Sequence, residues 1–260
     1  MGRDAGKAGR IGSTRLHFEE IDSTNVQAGR EAAAGAEHGL VITADAQSAG
    51  RGRRGRQWSS PKGVNLYFSL LLRPQLKPEK ASMLTLIMAV AVYRAICMMA
   101  GCQCGIKWPN DIVVNGHKVC GILTEMRMQQ YVIDYVVVGV GINVKEQEFP
   151  QDVAATATYL EKECGREMER EQLLASILKE FEECYEQFLH CGDMSFLQAE
   201  YEQALVNRGR SVRVLDPQQE FDGIARGITG TGELLVETQD GQIVEVYAGE
   251  VSVRGIYGYV

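Results

Sequence analysis

Positions 50–56 read Gly-Arg-Gly-Arg-Arg-Gly-Arg, so four guanidinium groups (Arg51, Arg53, Arg54, Arg56) hang on a backbone loosened by Gly50, Gly52 and Gly55. Such a segment is suited to gripping a polyanion and reshaping around it. Four readings are open. Gly50-x-Gly52-x-x-Gly55 has the form of a dinucleotide-binding fingerprint, but that motif needs a helix start behind it, and here a strand pattern follows. Clustered arginine also suits nucleic acid. Yet the 260-residue chain carries a net charge of -7, so the positive charge is local rather than a broad basic face. A plain solvated loop would need neither Trp58 nor three glycines. A lid that orders over the phosphates of a nucleotide or an activated intermediate accounts for both.

Three further groups carry potential chemistry. Asp22-Ser23-Thr24-Asn25 offers hydroxyls and free backbone N–H groups at a helix start, which suits an anion site, although taken alone a plain N-cap is the commoner reading. Lys107 and Lys118 flank a strand pair, where each alone reads as well as a solvated edge charge. Gly139 and Gly141 permit close approach to a strand that ends at Asn143, a donor and acceptor in one side chain.

The elements that must position these groups follow from periodicity. Residues 15–21 read as a strand and residues 24–34 as a helix. Residues 40–44 are a short strand leading into the arginine loop. Residues 64–73 alternate, with Val64, Leu66, Phe68, Leu70 and Leu72 inward, as a half-buried strand would. Residues 81–101 are long and apolar enough to be weighed as a membrane span, but they contain Arg94 and lie between strand-like stretches, which favours a buried crossover helix over about 79–100. Asn115-Gly116 between β-branched runs specifies a type I′ hairpin. Residues 132–144 form an apolar run expected of a central strand covered on both faces. Leu173, Leu174, Ile177, Leu178, Phe181, Tyr185, Phe188 and Leu189 make one helical stripe, which is core packing, and a last helix covers about 195–204. From residue 210 short strands recur between turn signals at Asp216-Pro217, Gly230-Thr231-Gly232 and Asp240-Gly241, the pattern of a small barrel.

The expected organisation is a loose tail over 1–12, a catalytic domain over 13–206, and a small β-barrel domain over 207–260. With 45% hydrophobic and 23% charged residues the composition is that of a soluble globular protein. Seven cysteines in no disulfide-like array and no secretory signal point to a reducing, cytoplasmic setting. Cys102-x-Cys104 lacks a second ligand pair and His17, His38, His117 and His190 are scattered, so no metal held by protein side chains alone is expected.

Taken in order, Asp22-Ser23-Thr24-Asn25, the run from Gln47 through the arginine loop to Trp58-x-Ser60-Pro61, Lys107-Trp108-Pro109-Asn110-Asp111, Lys118-x-x-Gly121-Ile122-Leu123-x-Glu125 and Gly139-x-Gly141-x-Asn143 resemble the biotin protein ligases. The resemblance spans about 15–254 and looks like the short form, with no counterpart before Arg15 of the DNA-binding domain found in some relatives. It implies an α+β fold of the class II synthetase-like, biotin/lipoate ligase type: a mixed sheet flanked by helices, with an SH3-like C-terminal barrel. It also implies biotinyl-5′-AMP formation from biotin and ATP, with Mg2+ accompanying ATP, and transfer of biotin to a lysine of a biotin carboxyl carrier domain. Neither a membrane nor DNA is an expected partner. By motif match Ser23, Thr24, Asn25, Gln47, Arg51, Gly52, Arg53 and Lys118 would bind biotin. Arg51, Arg53, Arg54, Arg56, Trp58, Lys107, Asn110, Asp111, Asn143 and Arg254 would bind ATP. Lys118, Arg53 and Lys107 would be the catalytic groups, Lys118 as a fixed cation rather than a base or nucleophile. The loop would be disordered in the free enzyme and close over the adenylate. The rivals are a lipoate or octanoate ligase or transferase of the same fold, which lacks the arginine loop, and a nucleic-acid-binding regulator.

Overall fold

Asn115 and Gly116 take φ of 50° and 80°, the left-handed pair that a type I′ turn demands, and the chain folds back there as a tight hairpin. The computed structural model describes residues 10–216, 220–248, 252–255 and 259. Within them the hairpin joins β5 (Asp111–Val114) to β6 (His117–Gln129). The other strands of the same sheet are β1 (Arg15–Ile21), β2 (Val41–Gln47), β3 (Leu66–Leu72), β4 (Cys104–Lys107) and β7 (Val132–Ile142). Their order is β1-β2-β3-β7-β6-β5-β4, with β1 and β2 parallel and the remaining pairs antiparallel. The apolar run at 132–144 therefore lies fourth of seven strands, at the sheet's centre.

Helices cover both faces. On one lies α1 (Thr24–Ala33), which packs Ala28 and Ala32 against Ile42, Leu71 and Val137. On the other lie α2 (Met83–Ala100) and α4 (Arg170–Cys191). This arrangement corrects the expectation of a half-buried β3. All seven of its residues are buried, since α1 covers the face that Tyr67, Ser69 and Leu71 present. Sequence alternation records only one face; the second helix layer is a tertiary fact. In α4 the stripe is as expected except at Leu189, which is 45% exposed near the helix end.

Pro78–Met99 is long and apolar enough to span a bilayer, but most of α2 is sealed in the core, residues Ile87 to Val92 being fully buried. Its one cation is paired: Arg94 donates to both Glu200 oxygens at 2.8 and 2.6 Å and to Glu180 at 3.3 Å. These carboxylates hold the guanidinium well above its ordinary pKa, Glu200 most of all.

Two short helices, α3 (Leu160–Cys164) and α5 (Ser195–Ala204), complete the first layer set. Of the tail expected over 1–12, residues 1–9 lie outside the described residues. Residues 10–12 are not loose: Ile11 is buried and its N–H donates to Glu182 at 2.9 Å.

A second, antiparallel sheet contains β8 (Ser211–Leu215), β9 (Phe221–Ile228), β10 (Leu234–Glu237), β11 (Ile243–Val246) and β12 (Ser252–Gly255), in the order β11-β10-β9-β8-β12. Its junction with the first sheet is specific. The N–H of Val206 donates to Ile106, the Asn207 side chain accepts from the Trp108 N–H at 3.1 Å, and the Trp108 indole N–H reaches the Gly232 carbonyl at 3.0 Å. Gly105 admits this contact, since a Cβ there would meet Val206 at 2.3 Å. Trp108 is 1% exposed, so Trp108→Ala, which opens a large void and orphans the Gly232 carbonyl, is expected to cost about 3–5 kcal/mol. Urea unfolding at neutral pH checks this, and a loss below 1 kcal/mol would contradict the packing described.

Candidate active site

The arginine loop is folded on itself between β2 and β3. Arg51 and Gln57 face each other as an isolated antiparallel bridge, Gly52 N–H donates to Arg56 at 2.8 Å, and Trp58 N–H donates to Gly50 at 2.9 Å. A 3-10 turn over Arg53–Gly55 caps this miniature hairpin, with Arg54 at φ 58°. Two bonds from one side chain fasten the turn to the body of the protein. Arg53 donates to Asn110 Oδ1 at 3.1 Å and to the Ala248 carbonyl, in the turn after β11, at 2.7 Å. The sequence anticipates a loop that is disordered in the free enzyme and orders over its ligand; in this structure these bonds fold it into a miniature hairpin held against the body of the protein.

Beneath the loop lies a narrow pocket of about 50 Å3. Ser23, Thr24, Asn25, Gln47, Arg51, Gly52, Arg53 and Lys118, all eight residues expected to bind one ligand, line it, together with Trp58 and Asn110. The start of α1 forms one wall, where side chains hold one another. Gln47 Oε1 accepts from the Thr24 N–H at 2.9 Å, and Ser69 hydroxyl lies 2.8 Å from Thr24 and 2.6 Å from Asn25. Asn25 in turn donates to Glu125 at 2.8 Å, and Glu125 forms an ion pair with Arg51 at 3.0 Å. Glu125 thus connects the pocket wall to the loop, a role the sequence reading did not assign. Its place at the end of the Lys118-x-x-Gly-Ile-Leu-x-Glu motif, with its side chain on the same strand as Lys118, was the available signal.

The paired glycines explain the pocket floor. A Cβ on Gly141 would lie 2.5 Å from the Trp58 indole nitrogen, and one on Gly121 would lie 2.8 Å from the same ring. The indole therefore rests directly on bare backbone of β6 and β7. Its N–H is buried with no hydrogen-bond partner among the described residues. On Gly139 a Cβ would collide with the Asn25 carboxamide at 1.9 Å, so the second glycine makes room for α1 rather than for a ligand.

At the pocket's far end Asp111 collects cations. Its Oδ1 lies 2.6 Å from the Lys118 ammonium. The angle is poor for a hydrogen bond, so this contact is a Coulombic pair. Lys118 also sits 5.3 Å from the Trp58 ring centre. Its backbone is fixed independently, N–H to Thr156 at 2.7 Å and carbonyl to Thr158 at 2.9 Å. Lys107, paired with Asp111 across β4 and β5, is 6% exposed, and its pKa is pushed down to about 8 by burial. Asp111 opposes that shift, whereas Lys118, Arg254 and Arg56 add to it. Burial likewise lowers the Arg53 pKa, with Asp111 opposing. Lys107, Lys118, Arg53, Arg56 and Arg254 are thus brought within electrostatic reach of Asp111 or of one another.

Two expected residues stand elsewhere. Asn143 is buried and its amide donates to the Thr158 carbonyl at 3.0 Å, bracing the chain that holds Lys118. Arg54 faces a wider cleft of about 950 Å3, lined by the start of α2, the middle of β6 and residues 231–233 of the second sheet. Among the described residues no group of three or more His, Cys, Asp and Glu side chains converges as a metal site. Tyr259, for which the sequence suggests no role, lies on Lys107 and Asp111.

Comparison with known proteins places these features in a lineage. Residues 17–143 match the biotin/lipoate A/B protein ligase family and residues 209–254 match the biotin protein ligase C-terminal domain. A bifunctional ligase/repressor BirA of Bacillus spizizenii is 37% identical over 93% of this chain and 74% of its own length. A biotin--[acetyl-CoA-carboxylase] ligase of Mycobacterium tuberculosis is 33% identical over 89% of this chain and 86% of its own. The structure of an Aquifex aeolicus biotin protein ligase in complex with biotin and ATP superposes with a TM-score of 0.81, at 30% identity, over 94% of this chain and 99% of that one.

The depressed pKa of Lys107 has a measurable sign. Between pH 8 and 10.5 the unfolded chain holds a proton that the folded chain has released, so wild-type stability rises through that window. Below pH 8 both states are charged and the folded state carries the full penalty, on the order of 3 kcal/mol. Lys107→Met is therefore expected to be more stable than the wild type at pH 7, with the gap closing as pH approaches 10.5. Paired urea titrations at pH 7 and pH 10 read the difference; a variant less stable at pH 7 would contradict the assignment.

Proposed function

Because the chain belongs to the biotin protein ligases of the biotin/lipoate A/B protein ligase family, we propose that it joins biotin to ATP and delivers the biotinyl group to a lysine of a carrier domain of a biotin-dependent carboxylase. The convergence of eight motif-matched residues on one pocket, with the Lys118 and Asp111 pair at its end, carries this reading. The proposed cycle takes place in the cytoplasm and uses ATP with Mg2+ as its counterion.

In the first step a carboxylate oxygen of biotin attacks the α-phosphorus, an acyl–O–P bond forms, and pyrophosphate leaves. Two anions must meet, so catalysis rests on fixed positive charge more than on proton transfer. Lys118 takes the biotin carboxylate and then the acyl-phosphate oxygens of the anhydride, as a cation steered by Asp111. Lys107, Arg56 and Arg254 supply charge for the phosphates, and Asp111 is an oxygen donor suited to Mg2+. Ser23, Thr24 and Gln47 are placed to hydrogen-bond the ureido head of biotin.

A void of about 50 Å3 is far below the several hundred a ligand pocket ordinarily offers. Biotin entry accordingly displaces the Trp58 indole from Gly121 and Gly141. In the second step the carrier amine attacks the acyl carbon and AMP leaves. Until then Arg53, by tying the loop to Asn110 and Ala248, keeps water from the anhydride. A boundary near 207–209 between the catalytic and C-terminal parts belongs to the same proposal, supported by the change from α5 to the second sheet.

ATP–pyrophosphate exchange by the purified protein should be stimulated by biotin; stimulation by lipoate and not biotin would overturn the assignment. Lys118→Ala should reduce exchange by about 100-fold or more and also destabilise the fold, because Asp111 loses the ammonium that faces its Oδ1. Lys118→Arg keeps the pair and the fold and should still lose most activity, since a planar fork cannot replace a point charge. Wild-type exchange in Lys118→Arg would refute the role. Arg53→Gly should raise escape of biotinyl-AMP relative to transfer, read as biotin appearing on bystander lysines; labelling confined to the carrier would contradict the retaining role of the loop.

A further inference from the structure

Tyr259 lies 148 residues from Asp111 in sequence, and its hydroxyl donates to Asp111 Oδ2 at 2.5 Å. Its ring covers the Lys107 ammonium, with Nζ 3.4 Å from the ring centre. One side chain therefore engages both of the neighbouring groups that the ligase reading reserves for the nucleotide. Asp111 is left with neither oxygen open, Oδ1 facing Lys118 and Oδ2 facing Tyr259. Lys107 is left with its exposed side against a π-face.

The contact fits the chemistry on both sides. A buried ammonium repelled by Lys118, Arg56 and Arg254 gains from a ring quadrupole, and a carboxylate gains from a short charge-assisted hydrogen bond. Neither interaction approaches what a triphosphate would bring to these cations, so the arrangement satisfies the site without matching its ligand. We infer that Tyr259 is an internal occupant of the triphosphate site, which ATP must displace to bind.

The inference rests on the ligase reading and adds to it a built-in competitor. An occupant tethered in the same chain acts at a high effective concentration, and the apparent affinity for ATP falls by the fraction of molecules in which the site is open. The same occupant covers Lys107 while the site awaits nucleotide, and it is not among the residues that line the pocket below the arginine loop, so it reaches biotin only indirectly, through Asp111 and Lys118.

Two substitutions separate the ring from the hydroxyl. Tyr259→Ala removes both contacts and is expected to lower the KM for ATP in biotin-stimulated pyrophosphate exchange by about ten-fold, as would follow if the closed form dominates ten to one. Tyr259→Phe keeps the ring over Lys107 and frees Asp111, so its KM should fall between the two. The KM for biotin should change much less than that for ATP, and rates should converge at saturating ATP. A KM for ATP that rises or is unchanged in Tyr259→Ala would overturn the inference, a rise showing that the tyrosine holds the nucleotide rather than excludes it. Calorimetric titration of ATP into wild type and Tyr259→Ala reads the same competition without turnover. A wild type with no biotin-stimulated exchange overturns the ligase reading, whereas calorimetry that shows tighter ATP binding to Tyr259→Ala still upholds the competitor. Equal affinities in that titration overturn it.

Discussion

Mutual repulsion of like charges is the constraint on which this molecule turns. Lys118, Arg254 and Arg56 stand close enough to perturb Lys107, Arg54 and Arg56 perturb Arg53, and burial raises the cost of charge on Lys107 and Arg53. One carboxylate, Asp111, offsets part of that cost. Rigid elements supply the rest of the restraint: Lys107 and Asp111 are opposed across two paired strands, and Lys118 follows a two-residue turn whose geometry leaves no slack. A site with more positive than negative charge is unstable on its own terms, and that instability is what draws a polyanion into it.

The surrounding fold can be understood as the frame for that tension. The seven-stranded sheet is covered on both faces, so its strands hold side chains in fixed positions. The second sheet is not an appendage. Trp108 bonds to Asn207 and Gly232, and Arg53 bonds to the Ala248 carbonyl, so the segments flanking that sheet's strands touch the motif segment and the arginine loop alike.

Local signals were legible in the chain and longer-range ones were not. Asn115-Gly116 predicted its turn because two adjacent φ values decide it. The last helix, α5, fell at the expected residues because its apolar spacing is self-contained. The burial of β3 on both faces could not be read, since nothing within residues 64–73 says that α1 will cover Tyr67 and Ser69. Gly139 and Gly141 signalled close approach without saying to what: Asn25 uses one and Trp58 the other. Glu125, quoted only as part of a motif, and Tyr259 were given no role for a related reason. Each acts on partners tens of residues away or more, and neither belongs to a pattern that periodicity would expose.

The chain contains two tryptophans, and the fold has put them in opposite circumstances. Trp108 is sealed at the joint between the sheets with its N–H satisfied, whereas Trp58 lies on the pocket floor with its N–H unsatisfied and a lysine ammonium nearby. The molecule consequently carries two built-in optical reporters of separate events. One emits from an environment that changes only when the architecture fails, and the other from a surface that any occupant must disturb, so light alone can tell vacancy from collapse.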